Sequence, residues 1–209
     1  MGITQIRDDG KVNTLRTLKP EQVVELMKTE TKAQLVTNAR KSLAYSLAGE
    51  KNDFVQKLPK LLPAAVFVRR DGVMQMREYT GIVMLEVNHL AGRAEAERIK
   101  TQAEELPQTY AAFIGSSGRS VKIWVRFTYP NDKLPTTREK AEVFHAHAYR
   151  LAVKYYQPQL SFDIELRESK LDQYCRLSFD PQIYFNPHAT AIYLRQPDGM
   201  PTETTTAKR

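Results

Sequence analysis

The chain has 209 residues, enough for one sizeable domain or for a core with an appended subdomain. Hydrophobic residues make up 42% and charged residues 26%, a balance that excludes a low-complexity or fibrous chain, and the net charge of +7 favours a polyanionic partner. A single cysteine excludes an intrachain disulfide and a cysteine-based zinc site, and no apolar run approaches the ~18 residues that span a bilayer. With no basic segment followed by an apolar core at its start, the chain is expected to be cytoplasmic, with no membrane partner.

Residues 1–18 are polar with scattered Ile, Val and Leu, and Asp9-Gly10 is the place for a short hairpin. Pro20 opens a helix carrying Val23, Val24, Leu26 and Met27. Leu35, Val36, Ala39, Leu43 and Leu47 recur at helical spacing, so a second helix is predicted over Lys32–Leu47, stopped by Gly49. Residues 1–55 thus read as an N-terminal helical extension. Pro59 and Pro63 break the chain, Ala64–Val68 reads as a strand, and Asp71-Gly72 as a turn. From there the order is regular. Thr80–Asn88 is a strand, Ala91–Glu105 a helix ended by Pro107, Thr109–Ile114 and Ser120–Thr128 strands, and Thr137–Tyr156 a long helix. Leu160–Leu166 and Tyr174–Phe179 are further strands. This β-α-β-β-α-β order with one extra strand is that of a split βαβ, ferredoxin-like or RRM-like α+β fold, with helices on one sheet face, over residues 56–195. Residues 196–209 form a tail or linker.

The richest segment runs Gly115-Ser-Ser-Gly-Arg-Ser-Val-Lys-Ile-Trp-Val-Arg126. A glycine-rich turn holding Ser117 and Arg119 leads into a strand that points Val121, Ile123 and Val125 one way and Ser120, Lys122, Trp124 and Arg126 the other. Backbone N–H groups in such a turn can cup a phosphate; the plainer alternative is a hairpin turn and an edge strand with solvated charges. Glu86 and Asn88 alternate onto the polar face of their strand, and Tyr174, Arg176 and Asp180 onto that of theirs. If the apolar sets all pack under the helices, these residues converge on one open surface. There Lys122, Arg126 and Arg176 would meet phosphates, and Trp124 and Tyr174 would stack on bases. The direction of the last strand decides whether Asp180 reaches Glu86. Elsewhere the plainer readings prevail: His145 and His147 face different directions, Cys175 is a buried hydrophobe, Tyr156 packs on the sheet, and Arg69, Arg70 and Arg77 are solvated.

Four segments in order carry a family resemblance: Lys57-Leu-Pro-Lys-Leu-Leu-Pro-Ala, Thr80-Gly-Ile-Val-Met-Leu-Glu-Val-Asn-His-Leu, the stretch from Leu106 to Ile123, and Cys175-Arg-Leu-Ser-Phe-Asp-Pro-Gln-Ile-Tyr-Phe-Asn-Pro. Together they resemble the VirE N-terminal domain family of bacterial mobile elements, whose members typically precede a helicase-like region. More distantly, the order is similar to the catalytic core of archaeo-eukaryotic primases and primase-polymerases. That likeness implies an Asp-x-Asp motif at Glu86 and Asn88, a Ser-x-His motif at Ser120 and Lys122, and a late Asp at Asp180, with only Asp180 and Ser120 unchanged. It further implies Mg²⁺ or Mn²⁺ on Glu86 and Asp180, with catalysis in doubt because Asn88 and Lys122 replace an acid and a histidine. The resulting expectation is a nucleic-acid-handling domain with degenerate catalytic motifs, binding nucleotide or single-stranded DNA beside a helicase domain in the same or a neighbouring chain. The alternative is an inactive adaptor that recruits a helicase or replication protein.

Overall fold

The computed structural model describes residues 1–8, 13–30, 34–45, 53–164 and 166–195. The predicted tail, residues 196–209, lies outside them. The chain opens on an antiparallel pair, β1 (Ile3–Asp8) and β2 (Asn13–Leu18), with Ile3 opposite Leu18, so the helical extension begins with strands; the hairpin turn expected at Asp9-Gly10 lies outside the described residues. Helix α1 (Pro20–Lys28) starts at its proline; the Lys19 N–H donates to Gln22 Oε1 at 2.8 Å, and Val23, Val24 and Met27 are buried. Helix α2 (Leu35–Tyr45) occupies the middle of the predicted second helix, whose two ends fall partly outside the described residues, and α3 (Asp53–Lys57) follows. Next come β3 (Lys60–Leu62) and a hairpin of β4 (Ala65–Arg70) and β5 (Val73–Tyr79) that turns at Asp71-Gly72 as expected.

The core then follows the predicted rhythm: β6 (Ile82–Val87), α4 (Arg93–Glu104), β7 (Thr109–Ile114), β8 (Val121–Thr128) and α5 (Arg138–Leu160). Strand β8 lies between β6 and β7 and is antiparallel to both, so β6 and β7 run parallel and α4 is their crossover. Short strands finish the chain: β9 (Cys175–Arg176), β10 (Tyr184–Phe185) on the outer edge of β7, and β11 (Ile192–Tyr193) parallel to the end of β8. One sheet face, with Val83, Leu85, Ile123 and Val125, packs on Ile99 of α4 and Ala148, Ala152 and Tyr156 of α5. The architecture is α+β, built on antiparallel sheet.

Three expectations are corrected. The helix α5 runs on through Leu160, because Tyr156 and Leu160 continue its buried stripe, and no strand forms at 161–164. Of the strand predicted over Tyr174–Phe179, only Cys175–Arg176 pairs, and it pairs with β3 rather than with the central sheet. Finally, the second face of the central sheet is covered. Met84, Phe113 and Trp124 alternate onto it and demand apolar partners, which Ile3, Val23, Met27, Leu61 and Cys175 supply from the sheet β2-β1-β3-β9 and from α1. Among the described residues, no helix is long and apolar enough to cross a membrane.

Candidate nucleic-acid interface

Glu86 and Lys122 are directly opposed across β6 and β8. Their register brings Lys122 Nζ to 3.0 Å from Glu86 Oε1, and the same ammonium donates to Asn88 Oδ1 at 3.2 Å. Asn88 Nδ2 donates back to Glu86 Oε2 at 3.4 Å, so three predicted site residues form one closed network. The charge of Lys122 is neutralised inside it.

The glycine-rich turn beside this network is closed on itself. Gly115 N donates to Ser120 O at 2.8 Å, Gly118 N to Gly115 O at 2.9 Å, and Arg119 N to Ser117 Oγ at 3.2 Å. Gly118 has φ +75°, a conformation that favours glycine. Ser117 is half-buried and Ser120 buried, the two hydroxyls lying 3.4 Å apart, while the exposed Arg119 reaches back to Leu90 O at 2.9 Å. A phosphate cup needs N–H groups turned outward; here the turn's carbonyls meet a cation instead. Arg40 of α2 donates to Gly115 O and Ser116 O, and to Ser178 Oγ and Phe179 O as well, tying the turn to the segment after β9. Burial lowers the Arg40 pKa, and the neighbouring Arg93 guanidinium lowers it further.

Asp180 lies elsewhere, on the outer edge of β7, with β7 and β8 between it and Glu86 on β6. Its carboxylate is fully buried and accepts from Ile114 N at 2.8 Å, from Gln182 N at 3.2 Å, and from Lys100 Nζ at 3.3 Å. Lys100, itself 3% exposed, also meets Glu97 at 2.9 Å and donates to Gln182 O, and Arg93 stands 3.8 Å from Asp180. Partial burial pushes the Glu97 carboxyl up, but hydrogen bonds from Lys100 and Arg93 bring it below the ordinary range. The implied Mg²⁺ or Mn²⁺ site therefore does not fit: Glu86 is held by an ammonium, Asn88 is neutral, and Asp180 serves a separate buried ion pair. Among the described residues no three His, Cys, Asp or Glu side chains are grouped to hold a metal ion.

The aromatic residues divide in the same way. Trp124 is 1% exposed and stands edge-on to Phe113 at 5.5 Å, so it is core rather than a stacking platform. Arg126 is half-buried, with its guanidinium 5.6 Å from the ring centre of the buried Tyr110. Tyr174, by contrast, is 42% exposed, with Lys60 Nζ 4.6 Å and the Arg176 guanidinium 5.5 Å from its ring centre. Arg176 is anchored by donating to Gln56 O and Leu58 O, both at 2.9 Å. The register Lys60–Arg176 of β3 and β9 builds this surface. Tyr174 and Arg176 thus stay together but leave the central sheet.

Three residues that matter here escape the sequence reading. Arg40 sits 75 residues before its turn and carries no local signal. Lys60 acquires its role only through strand pairing. Lys100 is the exception, since it falls on the apolar stripe Ala96, Ile99, Ala103 of α4, and a lysine there needs a buried partner. His145 is buried and His147 exposed, Cys175 is buried with its thiol pushed up to about 12 by burial, and Arg69, Arg70 and Arg77 are exposed.

The family model of the BT4734-like, N-terminal domain matches residues 53–185, from α3 to β10 and well over half of the chain. No curated protein and no solved structure matches.

Proposed function

Since the chain belongs to the BT4734-like N-terminal domain family, we propose that it is a non-catalytic module that binds single-stranded nucleic acid for a replication or transfer apparatus. The observation that carries this reading is the exposed Tyr174 ring with both the Lys60 ammonium and the Arg176 guanidinium close to it. An aromatic face offers stacking to any base, and flanking cations offer contacts to the phosphates on either side. The net charge of +7 supports the same class of partner. Glu86 and Asp180 act in this reading as ion-pair partners within the fold, and Lys122 and Arg126 as its internal cations. The RRM-like ancestry is part of the proposal: the β6-α4-β7 crossover around β8 supports it, although among the described residues no strand pairs with the other edge of β6, where the fourth strand of that topology lies. A helicase domain, in the same or a neighbouring chain, is the proposed companion that the bound strand is passed to.

The test is fluorescence anisotropy of a labelled oligo(dT) strand at two salt concentrations. Tyr174→Ala is expected to weaken binding about tenfold, the loss of one stacked base. Arg176→Ala is expected to lower the salt dependence as well. Absence of binding by the native chain overturns the reading and leaves a protein-recruiting adaptor. Template-dependent primer extension with Mn²⁺ that disappears in Glu86→Gln would refute the non-catalytic part. Glu86 is the informative position there, because loss of Asp180 perturbs the fold itself.

A further inference from the structure

A groove of about 900 Å³ lies between the face of the N-terminal hairpin, α1, α2 and the Lys57–Pro59 segment. Its walls are largely apolar, with Leu26, Leu35, Val36, Leu58 and Leu177 among them. Leu26 is one of the exposed large hydrophobic residues of the chain, at 36%. A groove of this size and character matches the usual dimensions of a small-molecule site.

Its floor contains an unsatisfied donor. Gln5 is fully buried on β1, and its Nε2 has no hydrogen-bond partner among the described residues. The orientation of this amide is fixed by chemistry: Arg7 Nε donates to Gln5 Oε1 at 3.1 Å, and a flipped amide would set two donors against each other. A buried amide N–H left without an acceptor keeps the full cost of its desolvation, which a bound acceptor removes. The end of the groove around Gln5 is also cationic. Arg7 follows two residues along β1, Arg16 is the cross-strand partner of Gln5, and Lys57 lines the same groove. Beyond the Gln5 bond, none of these three cations has a partner among the described residues. Three acids of α1 and its end, Glu21, Glu25 and Glu30, line the other rim, where Glu25 pairs with Lys28 at 3.0 Å and Glu30 accepts from the Thr37 hydroxyl and N–H.

We propose that this groove binds a small monocarboxylate with an apolar body. The carboxylate accepts from the Arg7 guanidinium, whose movement towards the ligand uncovers the buried Gln5 Nε2 as a second donor, and the apolar body lies along Leu26, Val36 and Leu58. The site adjoins the Tyr174 surface at Leu58, whose carbonyl anchors Arg176, but it uses different side chains, and either proposal can fail without the other.

Decanoate is a suitable probe, with decanol as its uncharged counterpart, titrated into the whole chain by calorimetry and by NMR of the side-chain amides. Saturable one-to-one binding of decanoate is expected, with the Gln5 Nε2 proton resonances shifting on titration. Decanol is expected to bind at least about tenfold more weakly. Gln5→Leu and Arg7→Ala should each weaken decanoate about tenfold or more. Gln5→Leu should at the same time raise Tm in the absence of ligand, since it removes an unpartnered amide, and this separates loss of the site from loss of the fold. The proposal is overturned by absent or non-saturable binding, by equal affinity for decanol, by shifts confined to residues outside the groove, or by a Tm that falls in Gln5→Leu.

Discussion

Asp180 illustrates how a motif residue can be spent on structure. Its carboxylate caps the buried end of β7 through Ile114 N and neutralises a lysine 80 positions away. Removing one partner of a buried pair leaves the other charge stranded, at a cost of about 3–5 kcal/mol. Lys100→Met is expected to lose stability on that scale in urea denaturation. Asp180→Asn should lose less, because the amide oxygen still accepts from Ile114 N and Lys100 retains Glu97 and Gln182 O. His145 supplies the pH dependence. Burial lowers its pKa to about 4, against 6.5 in the unfolded chain, and its Nδ1 shares a 3.1 Å hydrogen bond with the Tyr79 hydroxyl, which burial keeps protonated. The unfolded chain therefore takes up a proton first as pH falls. Stability contributed by this group is full above about pH 6.5 and declines towards pH 4, by about 3 kcal/mol in all. Denaturation at pH 7 and pH 5 should show the decline in the native chain and a shallower one in His145→Phe. At this scale the sequence was legible where alternation alone decides, as for Cys175 and the split between His145 and His147. It was not legible for Trp124, because a lone tryptophan between two cations looks the same whether its face is wet or covered.

Among the elements, β6, α4, β7, β8 and α5 were readable because each has a sustained period and a stop signal. The pairings that build the second layer were not. Strands β3, β9, β10 and β11 are two or three residues long, too short to carry a period, and their partners are fixed by closure of the fold. The loop that enters β6 depends on a single backbone conformation. Gly81 has φ +74°, its carbonyl accepts from Phe127 N at 2.8 Å, and an added Cβ would collide with Phe127 O and crowd Leu134. Gly81→Ala therefore combines left-handed strain of about 1–2 kcal/mol with a backbone clash. A loss of about 2–4 kcal/mol is expected by thermal or urea unfolding, with the register of β6 on β8 reported by amide hydrogen exchange.

At the level of the whole molecule, the central sheet is a filling between two covers. Helices α4 and α5 lie on one face, and the N-terminal hairpin with α1 lies on the other. The sequence suggests an extension appended to a core, yet Ile3, Val23 and Met27 are as deeply buried as any strand residue, so the extension is part of the core. Deleting residues 1–18 should abolish cooperative unfolding and expose dye-binding apolar surface, whereas an appended module would be lost without consequence. The seam between the sheet and its second cover contains the chain's one tryptophan, shielded from solvent, edge-on to Phe113, with no hydrogen-bond acceptor for its indole N–H among the described residues. Optically, that makes the protein its own gauge. Native emission should be blue-shifted and inaccessible to iodide, and any event that parts the two layers should register as a red shift of a single, unambiguous fluorophore.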